Sequence, residues 1–334
     1  MTTPLPALLV LFALLSPPVL GVPWDDNETA PQSAIPFLVE AFERHDLVAL
    51  SESHDSATQH AFLQDLLRDP GFRAVCRDIV VEFASARHQA TLDRYLAGEK
   101  VPFEELAPVW RDTPVSPFQT WDSPVYAAFL ATVRELNQGV PEEERLRVWA
   151  SEEPIEWETI SSAEEHHPYL ERSTFPARVT WERCLSQGRK TLLLRGGGHL
   201  ARRPVRPDLR TVVQILVEDH GVDLLTIALW SDREGALPDV EQRLADWPRR
   251  SIAALRGTWL GALPASRVLT FRVRGPDGTW GPPYPGVTMD ELYDASLYLG
   301  PSSELEDAPA DPSAYGDVYQ EELARRRALF EPPR

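Results

Sequence analysis

Apolar residues along the chain fall into short blocks whose spacing switches between helical and extended. Ile35-Pro36-Phe37-Leu38-Val39 with Ala41-Phe42 repeats at helical spacing and closes at His45-Asp46, so a helix is predicted there. Leu47-Val48-Ala49-Leu50 is a short continuous apolar run, the mark of a strand buried on both faces. Ser56 to Leu67 then carries Phe62, Leu63, Leu66 and Leu67 on one helical face. Asp78 to Phe83 reads as a second strand, Ala86 to Leu96 as a helix, and Ser123-Pro124 as the N-cap and first turn of a helix reaching Asn137. Leu146 to Ala150 and Thr191 to Leu194 give a third and fourth strand. Val212 to Val217 and Leu224 to Trp230, rich in β-branched and large apolar residues, give a fifth and sixth.

Strands separated by helices predict an α/β fold with a largely parallel central sheet flanked by helices, and with helical insertions. Beyond Trp230 the pattern is broken by Pro238, Pro248, Pro264, Pro276 and the run Gly281-Pro282-Pro283-Tyr284-Pro285, which makes an irregular, proline-rich C-terminal part. Val268 to Val273 and Ala295 to Leu299 are expected as short late strands, Ser302 to Pro312 as an acidic surface loop, and Tyr319 to Leu329 as a closing helix. The expected organisation is a single α/β domain over 35–300, its motif-bearing core at 35–230, followed by the acidic loop and helix of 301–334.

The first residues change the picture. Leu5 to Leu20 is almost wholly apolar and Val19-Leu20-Gly21 has the small-residue pattern of a secretory cleavage site, so 1–21 is expected to be a signal peptide and the mature chain to begin near Val22. Pro17 and Pro18 interrupt the run before the ~20 residues a membrane span requires. The expected location is therefore periplasmic or secreted, with no stable membrane span after cleavage.

Charge and composition then narrow the classes. In 334 residues, 33 Lys and Arg stand against 51 Asp and Glu, a formal charge of −18, which repels nucleic acid and anionic bilayers. Two cysteines, Cys76 and Cys184, are too few for a disulfide scaffold or a zinc ribbon. A small molecule or a peptide is the expected partner; the oligomeric state is not readable.

Open α/β sheets bind ligands outside the carboxyl ends of their strands. The first strand ends in Ser51-Glu52-Ser53-His54-Asp55. The second delivers Glu82, with Arg87 and His88 just beyond. The third delivers Ser151-Glu152-Glu153, then Glu156-Trp157, and the fourth Arg195-Gly196-Gly197-Gly198-His199. Four strands ending in ionisable residues point to one shared polar site. Two histidines with two or three carboxylates can hold a divalent metal through His54, Glu82 and His199, or can work without metal, a carboxylate orienting a histidine that deprotonates water. The triglycine lets backbone approach a ligand, but the lysine and hydroxyl of a phosphate loop are missing. No G-x-S-x-G elbow or H-E-x-x-H helix is present.

The order of these motifs resembles the superfamily that joins erythromycin esterases, ChaN-like haem-uptake proteins and the TIKI/TraB proteases. Leu47 to Asp55 is similar to its opening strand and G-E-x-H motif, Glu82 to its acid after the second strand, and Gly196-Gly197-Gly198-His199 to its second G-x-x-H motif. Ser51 stands where that superfamily has glycine, and the Glu52-to-His54 spacing matches the ChaN-like form. The resemblance implies an EreA/ChaN-like fold with Glu52, His54, Glu82 and His199 around one cleft. Arg87, His88, Trp121, Glu152, Trp157 and Arg195 are the expected substrate-binding surround, with Trp110, Arg111, Asp122 and Tyr126 close by. Two functions follow as expectations: an exported hydrolase of an ester or amide bond, metal-assisted or not, or a protein binding haem non-covalently.

Overall fold

The computed structural model describes residues 30–206, 209–232, 235–269, 271–274 and 279–330. The expected signal peptide lies outside them. Ten strands are described: β1 (Gln32–Ser33), β2 (Leu47–Glu52), β3 (Asp78–Ser85), β4 (Arg147–Glu152), β5 (Thr191–Gly196), β6 (Leu224–Leu229), β7 (Ser251–Ala254), β8 (Val273–Arg274), β9 (Trp280–Gly281) and β10 (Ala295–Tyr298). Eight form one sheet in the order β1-β7-β10-β6-β2-β5-β3-β4, while β8 and β9 pair separately. From β10 to β4 every neighbour is parallel, and β7 and β1 add an antiparallel edge. The α/β class and the largely parallel sheet read from the sequence are therefore what the chain adopts.

The parallel strands are buried on both faces, as their unbroken apolar runs require. In β2, Val48 and Leu50 join Ile79, Val81, Leu192 and Leu194 under the helices Ala34–Arg44, Ala57–Arg68 and Pro124–Leu136. Leu47 and Ala49 face the other way, with Val80 and Leu193, against the helices Thr174–Arg183 and Val212–His220. Ser123 caps the Pro124 helix through the Val125 N–H, and Ser56 caps the Ala57 helix through the Gln59 N–H. The edge of β4 is closed by one side chain: Gln89 donates to the Val148 carbonyl and accepts the Ala150 N–H, as a neighbouring strand would.

Two expectations are corrected. Val212 to Val217 is not a strand but the first part of a helix. Thr211 and Gln214 make a reciprocal capping box, Val212, Val213, Ile215 and Leu216 are buried at helical spacing, and Gly221 ends the helix at φ +66°. The strand expected at Val268 to Val273 is not found as such: Ala265–Val268 is a helical turn, and among the described residues of this stretch the strand is Val273 with Arg274. The late strand expected at Ala295 to Leu299 is β10, which inserts beside β6, and β7 lies beside β10. The acidic segment after Ser302 does more than cover surface. Its Ala308 N–H donates to the Asp55 carbonyl (2.8 Å), Ser123 Oγ donates to the Ala308 carbonyl (2.5 Å), and Glu306 and Thr58 exchange hydrogen bonds. Cys76 and Cys184 are buried free thiols, and burial pushes the Cys184 thiol up to about 12.

A Cβ at Gly221 would meet nothing within 4 Å, so Gly221→Ala isolates the backbone cost of the left-handed cap. Urea denaturation should show a loss of about 1–2 kcal/mol; a strand at 212–217 would give no such penalty.

Candidate active site

The period of a strand decides which polar residue faces where. Glu52 continues the Val48–Leu50 side of β2 and so enters the layer of the Ala57 and Pro124 helices. There it is almost wholly buried and fully engaged: His54 Nδ1–H donates to Oε2 at 2.6 Å, His60 Nε2–H to Oε1 at 3.2 Å and Tyr126 O–H to Oε1 at 3.3 Å. Burial alone would raise this carboxyl. The hydrogen bonds from His54 and His60, with the charge on both rings, outweigh it and hold the group below the ordinary range. The loop after β2 is fixed by Gln59, which donates to the Ser51 carbonyl (2.7 Å) and accepts the Ser53 N–H (2.8 Å). Asp55 sits at φ 62° with its N–H on Tyr126 Oη (3.2 Å), and burial pushes its carboxyl up to about 6.

His54 is therefore a histidine held by its Nδ1, with 41% of its side chain exposed. Burial of the ring lowers its basicity, but the Glu52 hydrogen bond and charge, aided by Glu82, raise it above 6.5. Its ring packs edge-on against Trp121, centroids 4.4 Å apart. Trp121, one of the expected substrate contacts, thus lies beside His54, and Tyr126 is 5.4 Å from Trp121.

Glu82 lies on β3 where the register with β4 shifts between Val81 and Ser85. Its Oε2 accepts the Gly196 N–H at 2.5 Å, and its Oε1 lies 2.6 Å from Arg172 Nη2 and 3.5 Å from both Arg195 Nη2 and His199 Nε2. Arg172 also holds Glu152 through Nε and Nη2, and Arg195 reaches Glu152 Oε1 at 3.0 Å. Two carboxylates and two guanidiniums thus form a buried, charge-balanced quartet. Burial would raise Glu82, but Arg195 and Arg172 hold it far below the usual carboxylate range. Burial, with the same two cations, pushes His199 down to about 3 against the pull of Glu82, so His199 is neutral beside a more basic His54.

Gly196 shows how closely these groups converge. A Cβ there would lie 3.3 Å from Glu82 Oε2, 3.6 Å from His54 Cε1 and 3.8 Å from His199 Cδ2. The four residues named from the sequence, Glu52, His54, Glu82 and His199, thus surround one hollow at the carboxyl ends of β2, β3 and β5.

Three of the six expected substrate contacts, Arg87, His88 and Trp157, are placed elsewhere, and two, Arg195 and Glu152, are turned inward. Arg195 is fully buried and spent on Glu152, Ser151 Oγ and the Arg172 carbonyl; Glu152 is buried beneath Arg172. Arg87 pairs with Glu158 at 2.9 Å and donates to the Ile155 carbonyl. His88 is bound to Asp112 at 3.0 Å, which in turn holds Arg326. Trp157 stacks on His166 and donates to the Thr113 carbonyl, in a separate small core with Ile155 and Ile160. Arg111 and Asp122 engage Tyr319 of the closing helix, through the Arg111 cation over its ring and the Tyr319 O–H on Asp122, and Trp110 packs on Phe103. His60 and Arg172 were missed. The signal for His60 was a titratable residue on the apolar face of a helix. Arg172, in an irregular connection, carried no signal.

The trio His54, Glu82 and His199 does not fit a metal ion. Among the described residues no group of three or more His, Cys, Asp or Glu is arranged to hold one. Both Glu82 oxygens are already taken by donors, and two guanidiniums beside it oppose a further cation.

Removing one cation from the quartet leaves buried charge unmatched, so Arg195→Met should lower stability by about 3–5 kcal/mol in chemical denaturation. Because folded Glu82 titrates below its ordinary 4.5, its contribution is present above that pH and is lost as pH falls further. The wild type should therefore lose stability in acid more steeply than the variant.

No family model and no curated relative matches the sequence. Among solved structures, an erythromycin esterase, EreC, in an open conformation superposes with a TM-score of 0.53 at 13% identity, covering 84% of this chain and 98% of that one. A protein from Bacillus cereus gives 0.52 at 13% identity over 85% and 95%. A succinoglycan biosynthesis protein gives 0.53 at 10% identity over 80% and 90%. At these identities the likeness is one of architecture: the chain has the erythromycin esterase-like (EreA/ChaN-like) α/β fold.

Proposed function

We propose that the protein is an exported hydrolase of ester or amide bonds that activates water with the Glu52–His54 pair. One observation carries this reading: a raised, half-exposed imidazole is anchored through Nδ1 on a buried carboxylate and shares a hollow with a second, neutral imidazole. Pairs of titratable groups driven apart by their surroundings divide acid and base work between them.

In this mechanism Glu52 fixes the tautomer, leaving His54 Nε2 to take a proton from water as the water oxygen bonds to the carbonyl carbon. Neutral His199 serves as a donor to the carbonyl oxygen as charge develops on it. The tetrahedral adduct then expels the alcohol or amine, which receives its proton from His54 Nε2–H, and the acid is released. Trp121 closes one wall and confines the imidazole ring. The EreC likeness supports the architecture in which such a site sits, and the chemistry rests on this chain's own residues.

For export, the support is the apolar run Leu5 to Leu20 and the Val19-Leu20-Gly21 step. N-terminal sequencing of the protein recovered from its native host should begin at Val22; a retained Met1 would overturn export by this route.

For catalysis, 4-nitrophenyl esters are the probe. The kcat/KM profile should rise with pH through a midpoint above 6.5, since His54 must be neutral to act and its folded value is raised. His54→Ala should cost about 10²–10⁴-fold in turnover. Glu52→Gln should lower both the rate and the midpoint, because burial then acts on His54 without the carboxylate. Full activity of His54→Ala sinks the mechanism. No ester turnover together with a Soret band on adding haemin would turn the site toward haem binding.

A further inference from the structure

Ser51 and Gly197 lie one residue from Glu52 and Gly196, and alternation along the chain turns both to the other side of the sheet edge. Ser51 follows the Leu47–Ala49 side of β2, and a Cβ on Gly197 would lie 3.2 Å from Ser51 Oγ and 3.3 Å from Tyr293 Oη. Behind these residues is a cavity of about 290 Å³. Its walls are Ala228, Val268, Leu269 and Tyr293, with Phe271 at 41% exposure beside it and Glu52 and Ser53 on the side toward the reactive hollow. At about 30 Å³ per water-sized group it has room for about ten.

Two hydroxyls in its lining have nothing to bind. Ser51 is 6% exposed, and its Oγ is buried without a hydrogen-bond partner among the described residues; Ser231 Oγ is in the same condition. Tyr293 is spoken for, since its O–H donates to the Gly197 carbonyl at 2.9 Å and so fixes the glycine that separates the two spaces. A buried hydroxyl left unpaired costs free energy that a ligand oxygen recovers. The one ionised group in the lining, Glu52, already accepts from His54, His60 and Tyr126. It would repel an anionic guest, and it offers a cationic one no free oxygen.

We propose that this cavity is the specificity pocket of the hydrolase, taking a neutral, mainly aliphatic group of the substrate and meeting an oxygen of that group with Ser51 and Ser231. The inference rests on the hydrolytic reading above for its role, but not for the existence of the pocket. In parallel register Ala228 lies beside Ser51, one step beyond the Leu50–Ile227 pair, so its side chain is the place to fill the space. Val268 is the place to enlarge it.

The test compares 4-nitrophenyl acetate, butyrate and octanoate on the full chain. Ala228→Leu should lower the octanoate-to-acetate ratio of kcat/KM at least tenfold, and Val268→Ala should raise it about threefold. Unchanged ratios in both folded variants overturn the proposal. A second measurement separates the pocket from the chemistry: fluorescence of the neutral probe N-phenyl-1-naphthylamine, displaced by 1-octanol. It should be bound by the wild type and by His54→Ala, and weakly by Ala228→Leu. If no ester is hydrolysed, the hydrolytic reading fails while this binding pattern still upholds the pocket; equal binding by all three proteins overturns it.

Discussion

Carboxylates carried to the dry end of a parallel sheet have to be neutralised, and the rest of the site follows from how this is done. Glu82, near the carboxyl end of β3, and Glu152, at the end of the neighbouring β4, are buried. Alone, each would be too costly to keep ionised. Arg172 and Arg195 balance them, and this quartet ties β3, β4, β5 and the connection before the Thr174 helix into one rigid block. Burial, with the two guanidiniums and against the pull of Glu82, then keeps His199 neutral, and the remaining oxygen of Glu82 holds the Gly196 N–H in place. A buried ion pair of this kind is weak evidence for stability as such. Here it sets geometry and protonation.

Glu52 is solved differently. Its partners are imidazoles and a phenol rather than guanidiniums, so its charge is shared with a group that can release a proton near neutral pH. One acid is therefore locked and the other is coupled to a base. Tyr126 and His60 come from two helices of the same layer, so the packing that buries Leu50 and Phe62 also aims the carboxylate. The segment at Ala308 reaches back to Asp55 and Ser123, which stitches the His54 loop to the start of the Trp121-side helix.

Much of this was legible in the residues. Unbroken apolar runs gave β2 to β6 apart from the Val212 segment, and asking what each strand delivered as it ended singled out Glu52, His54, Glu82 and His199. Where the reading failed, local sequence was ambiguous. Val212 to Val217 is β-branched enough for a strand, and the Thr211–Gln214 box and Gly221 that make it a helix lie at its borders. Arg195 looked like a substrate clamp because a guanidinium after a strand fits a ligand carboxylate as well as a buried glutamate. Trp157 looked like a wall because an indole packs equally well on a ligand and on His166.

The sequence by itself determined the strands, the alternation that turns Ser51 and Glu52 to opposite sides, and the residues that reach the sheet's carboxyl end, because these depend on spacing along the backbone. Only the tertiary structure decided which of those charges meet one another. Arg172 finding Glu82 across 90 residues and Tyr126 finding Glu52 across 74 are outcomes of strand order and helix packing. The same holds for the insertion of β10 beside β6, which places Tyr293 against Gly197. Hydrogen bonding and Coulomb energy act over a few ångströms of space, whereas sequence patterns record only the near neighbours along the chain.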